Sequence, residues 1–236
     1  MHTQDRKTQE SLTPADALRI LKEGNERFRA NLRANRNLLQ QVNETRDGQW
    51  PFAVILGCVD SRTSAELIFD QGLGDIFSVR IAGNFVNDDI LGSMEFACAL
   101  AGARLVVVLG HTQCGAIKGA CDGVELGCLS QMLHKIQPSL AAVPEPRDPS
   151  ERSSANPDFV EAVARANVQR SVGLVAEGSE VLRALRDSGA IAVIGAIYDV
   201  ATGGVEFLEG PGAEVARGAD DERAAVGPSS ERGTGA

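Results

Sequence analysis

Residues 104–115 read RLVVVLGHTQCG, and upstream of them residues 52–62 read FAVILGCVDSR. Each opens with an unbroken, β-branched apolar run closed by glycine. Runs of that length without alternation are the pattern of strands buried on both faces, as in parallel sheets covered by helices. Each run is followed at once by polar residues with strong chemistry: Cys58, Asp60 and Arg62 after the first, His111 and Cys114 after the second. In open α/β sheets the ligand crevice lies at the carboxyl ends of the strands. The two stretches therefore place fold and candidate site together.

Working outward, helix and strand signals alternate. Thr13, Pro14 and Asp16 supply an N-cap, a first-turn proline and an acidic first turn. The helix they open carries Leu18, Leu21, Phe28 and Leu32 on one stripe. Polar residues 33–49 bridge to the first strand, 52–58. A helix over 63–69, a short strand DIFSVR, a helix through DDILGSMEFACALAG and the strand 104–110 follow, and CGAIKGACDG starts another helix. Residues 138–157 read as a surface excursion. Asn156 with Pro157, and Ser179 with Gly189, bracket two more helices. The strand AIAVIGAIYDV, a TGG turn and VEFLE then predict a hairpin. The fold class is α/β, with a mainly parallel central sheet flanked by helices, an N-terminal helical arm and an antiparallel C-terminal edge strand. Residues 1–10 read as a flexible end, 11–210 as one domain, and 211–236 as a disordered tail lacking large apolar side chains.

Composition narrows the function classes. A 236-residue chain suffices for one large core, and its formal charge of −9 argues against nucleic acid as partner. No run of about 18 apolar residues predicts a membrane span, and the polar N-terminus lacks the centre of a secretory signal. Five cysteines, an odd number in a sequence of intracellular type, argue against a disulfide framework and for the cytoplasm.

In extended chain Cys58 and Asp60 face the same side. His111 leaves a strand, and Cys114 opens a helix, where the thiolate is favoured. Two thiolates and an imidazole suit zinc, and Cys2His with an open fourth position is a catalytic pattern. Asp60 can contest that position or accept a proton from what occupies it, and Arg62 can hold the carboxylate in a bidentate pair. HxxC or CxDxR alone is common by chance; both at exits of buried strands are not. Cys98, Cys121 and Cys128 read as small buried hydrophobes, His134 as an exposed helical residue, His2 as part of a flexible end, and Trp50 as packing at a strand edge.

CVDSR, SVRIAGNFV, SMEFA and LGHTQCGAIKGA resemble, in order, the signature of the β-class carbonic anhydrases. The resemblance runs over about residues 11–209 and is dense over 49–120. It implies one zinc per chain held by Cys58, His111 and Cys114, an Asp60–Arg62 dyad beside it, and reversible hydration of carbon dioxide to bicarbonate by zinc-bound hydroxide. It also implies a homodimer or dimer of dimers, with Gln49 reaching the zinc of the neighbouring chain. Gly48, Gln49 and Pro51 match the plant-type subgroup, and Phe77 matches the wall of its substrate pocket. Phe96 stands where plant members carry tyrosine, so the wall persists without its hydroxyl. Ile55 stands where bicarbonate-inhibited members carry tryptophan, which implies that this regulatory site is absent. On this reading Asp60 accepts the hydrogen of the attacking hydroxide, Phe77 and Phe96 hold carbon dioxide, and Gln49 and the Gly115 N–H are donors to the substrate oxygen. A carbon disulfide or carbonyl sulfide hydrolase would share these ligands, and a non-catalytic zinc protein would not need the dyad. A dinucleotide-binding enzyme lacks support, since no GxGxxG follows a strand.

Overall fold

The apolar runs form the centre of the molecule. In the computed structural model, which describes residues 3–208, β1 (Ala53–Gly57), β3 (Leu105–His111) and β4 (Ala192–Tyr198) are buried along their whole length. β2 (Ile76–Arg80) and β5 (Val205–Phe207) flank them, giving a five-stranded sheet in the order β2-β1-β3-β4-β5. The first four strands run parallel and β5 pairs antiparallel with β4. Side chains alternate between two cores, as the pleat requires. Ile55, Val107, Leu109 and Ile194 meet Leu18 and Leu21 on one face. Val54, Leu56, Val106 and Val108 meet Met94, Val168 and Leu182 on the other. From β1 the chain steps to β2 on one side and then to β3 on the other. The ends of β1 and β3 are thus the switch point where such sheets bind ligands.

The helices α1 (Arg6–Ser11), α2 (Pro14–Arg29), α3 (Leu38–Glu44), α4 (Ala65–Ile68) and α5 (Asp88–Glu95) come before β3. After it come α6 (Gly115–Cys121), α7 (Gly127–His134), α8 (Gln137–Ala141), α9 (Pro157–Gly178) and α10 (Glu180–Asp187). The capping signals act as expected. Thr13 and Asp16 form a reciprocal capping box on α2, Asn156 Oδ1 caps α9, and Ser179 Oγ caps α10. Gly24 in α2 permits a close approach, because a Cβ there would lie 1.8 Å from the Phe69 carbonyl oxygen.

Several local expectations change. α2 stops at Arg29, so Leu32 falls outside the stripe and is exposed. The bridge over 33–49 contains α3, and part of the end read as flexible is α1, anchored by buried Gln9 donating to the carbonyls of Pro51 and Ala101 at 2.7 Å each. The helix beginning at Asp88 widens into a π turn at Phe96–Leu100. The excursion over 138–157 shares α8 and a short 3-10 turn at Pro149–Glu151. Cys128 is exposed, not buried. The 211–236 expectation and His2 lie outside the described residues.

Candidate metal centre

Cys58 leaves β1, His111 ends β3 and Cys114 is the N-cap of α6. All three are buried, and their ligand atoms lie within 4.8 Å of one another. His111 Nδ1 is 2.9 Å from the Thr112 carbonyl oxygen. A carbonyl can only accept, so Nδ1 carries the proton and Nε2 presents its lone pair. That Nε2 is buried without a hydrogen-bond partner. An orphaned acceptor beside two sulfurs fits a metal of borderline softness, and the donor set fits zinc better than an oxygen-seeking cation.

The two sulfurs act on each other: the hydrogen bond with Cys114 lowers the Cys58 thiol, while the bond with Cys58 and burial push that of Cys114 up. The Gly83 N–H adds a donor at 3.4 Å from Cys58 Sγ.

Asp60 follows Cys58 at the expected spacing. Arg62 Nε and Nη2 donate to its two carboxylate oxygens at 2.9 and 2.8 Å, and the Arg62 backbone N–H adds a third bond at 3.0 Å. This fork holds the Asp60 carboxyl well below the usual carboxylate range. Two residues not singled out from sequence fix the loop. Arg80 donates to the carbonyls of Cys58 (2.8 Å) and Asp60 (2.6 Å), and Thr63 Oγ1 donates to the same two carbonyls at 3.1 and 2.9 Å. The signal for Arg80 was a polar residue ending a strand, but its target depends on the β1–β2 register, which pairs Gly57 with Arg80.

The family shown by these residues is then plain from comparison with known proteins. The carbonic anhydrase family pattern matches residues 53–205. The protein named carbonic anhydrase 2 of Mycobacterium tuberculosis is 35% identical over 198 residues, covering 80% of this chain and 90% of its own. This chain belongs to the carbonic anhydrase family. Its fold is that of the β class. A β-carbonic anhydrase structure from Aspergillus fumigatus superposes with TM-score 0.62 at 26% identity, covering 76% of this chain and 86% of that one. Tetrameric β-carbonic anhydrases from Sordaria macrospora give TM-score 0.61 at 23% identity, with 72% and 90% covered.

The remaining expected carbonic anhydrase residues fall into two places. Gly115 is the exposed first residue of α6, beside Cys114, where a helix does not use the N–H. Phe77 and Phe96 meet edge to face at 5.9 Å and line an open groove of about 600 Å³ with Ser78 and Ser93. Phe77, however, pairs in register with Val54. It sits four residues below Cys58, about 13 Å along the strand direction. Gln49 is exposed and precedes β1. Within one chain the aromatic groove and Gln49 do not reach the metal centre. Trp50 is half-buried and packs on Gly48, where a Cβ would meet its ring at 2.9 Å.

Proposed function

We propose that this carbonic anhydrase hydrates carbon dioxide with zinc held by Cys58, His111 and Cys114, in a plant-type site completed by a second copy of the chain. One observation carries the reading: three buried soft donors converge within 4.8 Å, with an orphaned imidazole nitrogen among them. Zinc at that position supplies Lewis acidity that makes a hydroxide nucleophile available near neutral pH. Asp60 stays a carboxylate, so it accepts a hydrogen bond from the nucleophile's O–H and aims the oxygen lone pair. Arg62 occupies both carboxylate oxygens and keeps Asp60 from becoming a fourth ligand. The Gly115 N–H, and Gln49 from the neighbouring copy, donate to the substrate oxygen as it gains charge. Phe77 and Phe96 of that copy form the apolar wall.

The second copy is supported by the separation of groove and metal centre, and by the exposed Leu38, Leu39, Val42, Phe96 and Leu100. The tetrameric neighbours in fold favour it further. The Cys58, Cys98, Cys114, Cys121 and Cys128 thiols are all free, which supports a reducing, cytoplasmic setting. Among the described residues no helix is long and apolar enough to cross a membrane.

Stopped-flow carbon dioxide hydration with elemental analysis tests the reading. About one zinc per chain is expected, as a Cys2His site binds one ion. Cys58→Ala and Cys114→Ala should lose both metal and activity. Near-stoichiometric zinc in either variant would contradict the ligand assignment.

A further inference from the structure

The loop after β2 faces two ways. Gly83 donates to the sulfur of Cys58, while its carbonyl accepts from buried Asn167 Nδ2 at 2.8 Å. The Asn84 carbonyl accepts from Ser171 Oγ at 3.3 Å. Asn167 and Ser171 belong to α9, and both line a cavity of about 280 Å³ together with Phe85, Leu174, Lys135 and Arg170. The same loop thus bonds a metal-ligand sulfur and walls a cavity that contains neither a metal ligand nor the dyad.

Both charged residues that line the cavity are cationic. Acidic residues outnumber basic ones in the chain, 32 to 23, and several arginines use them: Arg165 holds Glu161 and Glu206, and Arg27 holds Asp70. Lys135 and Arg170 have no acidic partner among the described residues. Lys135 instead lies 5.9 Å from the Phe85 ring centroid. The loop itself is incompletely satisfied, because buried Asn84 Nδ2 has no acceptor. Two cations without an acidic partner on the wall of one concavity suit an anion. The guanidinium fork matches a carboxylate in particular. Phe85 and Leu174 offer an apolar surface that bicarbonate or phosphate cannot use, and the volume limits the body to a small one.

We propose that the Lys135–Arg170 cavity binds a small carboxylate with an apolar body, and that its occupancy is felt at the metal centre through Gly83. The coupling, though not the binding, rests on Cys58 being a zinc ligand. The carboxylate lies on Phe85 and Leu174 with its oxygens on Arg170 and Lys135. It tightens the loop that donates to Cys58.

Benzoate and 4-bromobenzoate are suitable probes on the full-length, zinc-loaded protein. Anomalous diffraction from crystals soaked in 4-bromobenzoate should place bromine in this cavity. Calorimetry should show benzoate binding weakened roughly tenfold or more in Lys135→Gln/Arg170→Gln, the scale of lost charge-assisted bonds. Neither residue is in the catalytic machinery, so that variant should keep wild-type hydration activity, which also shows it is folded. Bromine found only at the metal, equal benzoate affinity in the double variant, or bicarbonate or phosphate binding the cavity better than benzoate would overturn the site. Saturating benzoate should change the rate of zinc release to a chelator by several-fold in wild type and not in the double variant. An unchanged rate with the cavity occupied overturns the coupling. Hydration activity toward carbon dioxide decides neither binding result, so an inactive wild type with an occupied cavity would count against the proposed function alone.

Discussion

At the scale of single residues, Arg62 decides what Asp60 can do. A carboxylate two residues from a proposed metal ligand is a competent ligand itself, and the two-pronged bond to Arg62 ties up both of its oxygens. Arg62→Ala should therefore retain zinc yet lose at least about a hundredfold in hydration rate, the usual scale for a proton-handling group. Arg62→Lys should recover little, because a lysine cannot reproduce the fork. Metal content and turnover measured on the same preparations separate the outcomes, and a near-normal rate in Arg62→Ala would remove the dyad from the mechanism. The pair also constrains pH dependence. Since Arg62 depresses the Asp60 carboxyl, Asp60 remains ionised through the mildly acidic range. A fall in activity below neutrality would then not come from protonating Asp60 while the fork is intact. Gly83 is a second decisive residue. Its φ is +79°, and a Cβ there would meet Ile136 Cδ1 at 2.7 Å and Ala116 Cβ at 3.3 Å. Gly83→Ala should cost roughly 1–3 kcal/mol of stability and loosen zinc as well, which urea melts and chelator competition would read. Unchanged stability would show that the loop yields easily.

At the scale of elements, Asp70 joins the N-terminal arm to the body. It follows α4, has φ +45°, and accepts from Arg27 on α2, from Arg36, and from the Ala34 N–H. Burial raises its carboxyl, but the two guanidiniums outweigh burial and the net shift is downward from 3.8. The sign follows from linkage. A lowered carboxyl contributes stability that is complete above its unfolded value and is lost as pH falls through the folded one. Asp70→Asn keeps the shape and tolerates the left-handed backbone, but removes the buried carboxylate that Arg27 and Arg36 share. It should cost about 3 kcal/mol at pH 7, and the gap to wild type should narrow as pH drops below about 4. Melting curves of both proteins across that range give the test, and a gap independent of pH would mean that charge is not what holds the arm. This link illustrates what sequence does and does not reveal. β1, β3 and β4 are legible because fully buried strands need unbroken apolar runs, and the candidate metal-binding side chains are legible because they stand at the exits of those runs. α3 is not, because its Leu38, Leu39 and Val42 are exposed on the chain and apolar spacing carries no burial signal there. Arg80, Thr63 and Asn167 were missed because their targets are main-chain carbonyls brought near by register and helix packing.

At the scale of the whole molecule, the proposed site does not close within one chain. From Phe52 to Cys58 the extended chain covers about 20 Å, and Gln49 lies beyond Phe52, further than its side chain can span. The Phe77–Phe96 groove is likewise open and displaced from the metal centre. If Gln49 serves the proposed chemistry, it serves the metal centre of another copy. The protein should then elute well above its 24.9 kDa protomer mass when measured by light scattering, but mass alone does not show a shared site. Complementation does. Arg62→Ala disables the metal centre of its own chain but still offers Gln49 to a neighbour, while Gln49→Ala keeps its own dyad and fails its neighbour. In a mixed dimer, the metal centre on the Gln49→Ala chain has its own Arg62 and receives an intact Gln49 from the Arg62→Ala chain. The other centre lacks both. Unfolding and refolding the two weakly active variants together yields mixed dimers in half of the assemblies, each with one whole site. About a quarter of wild-type activity should return if the site is shared across a two-fold interface. Refolding either variant alone should return none. Failure of the mixture to gain activity, with mixed dimers demonstrated by mass spectrometry, would mean that Gln49 acts in its own chain or not at all.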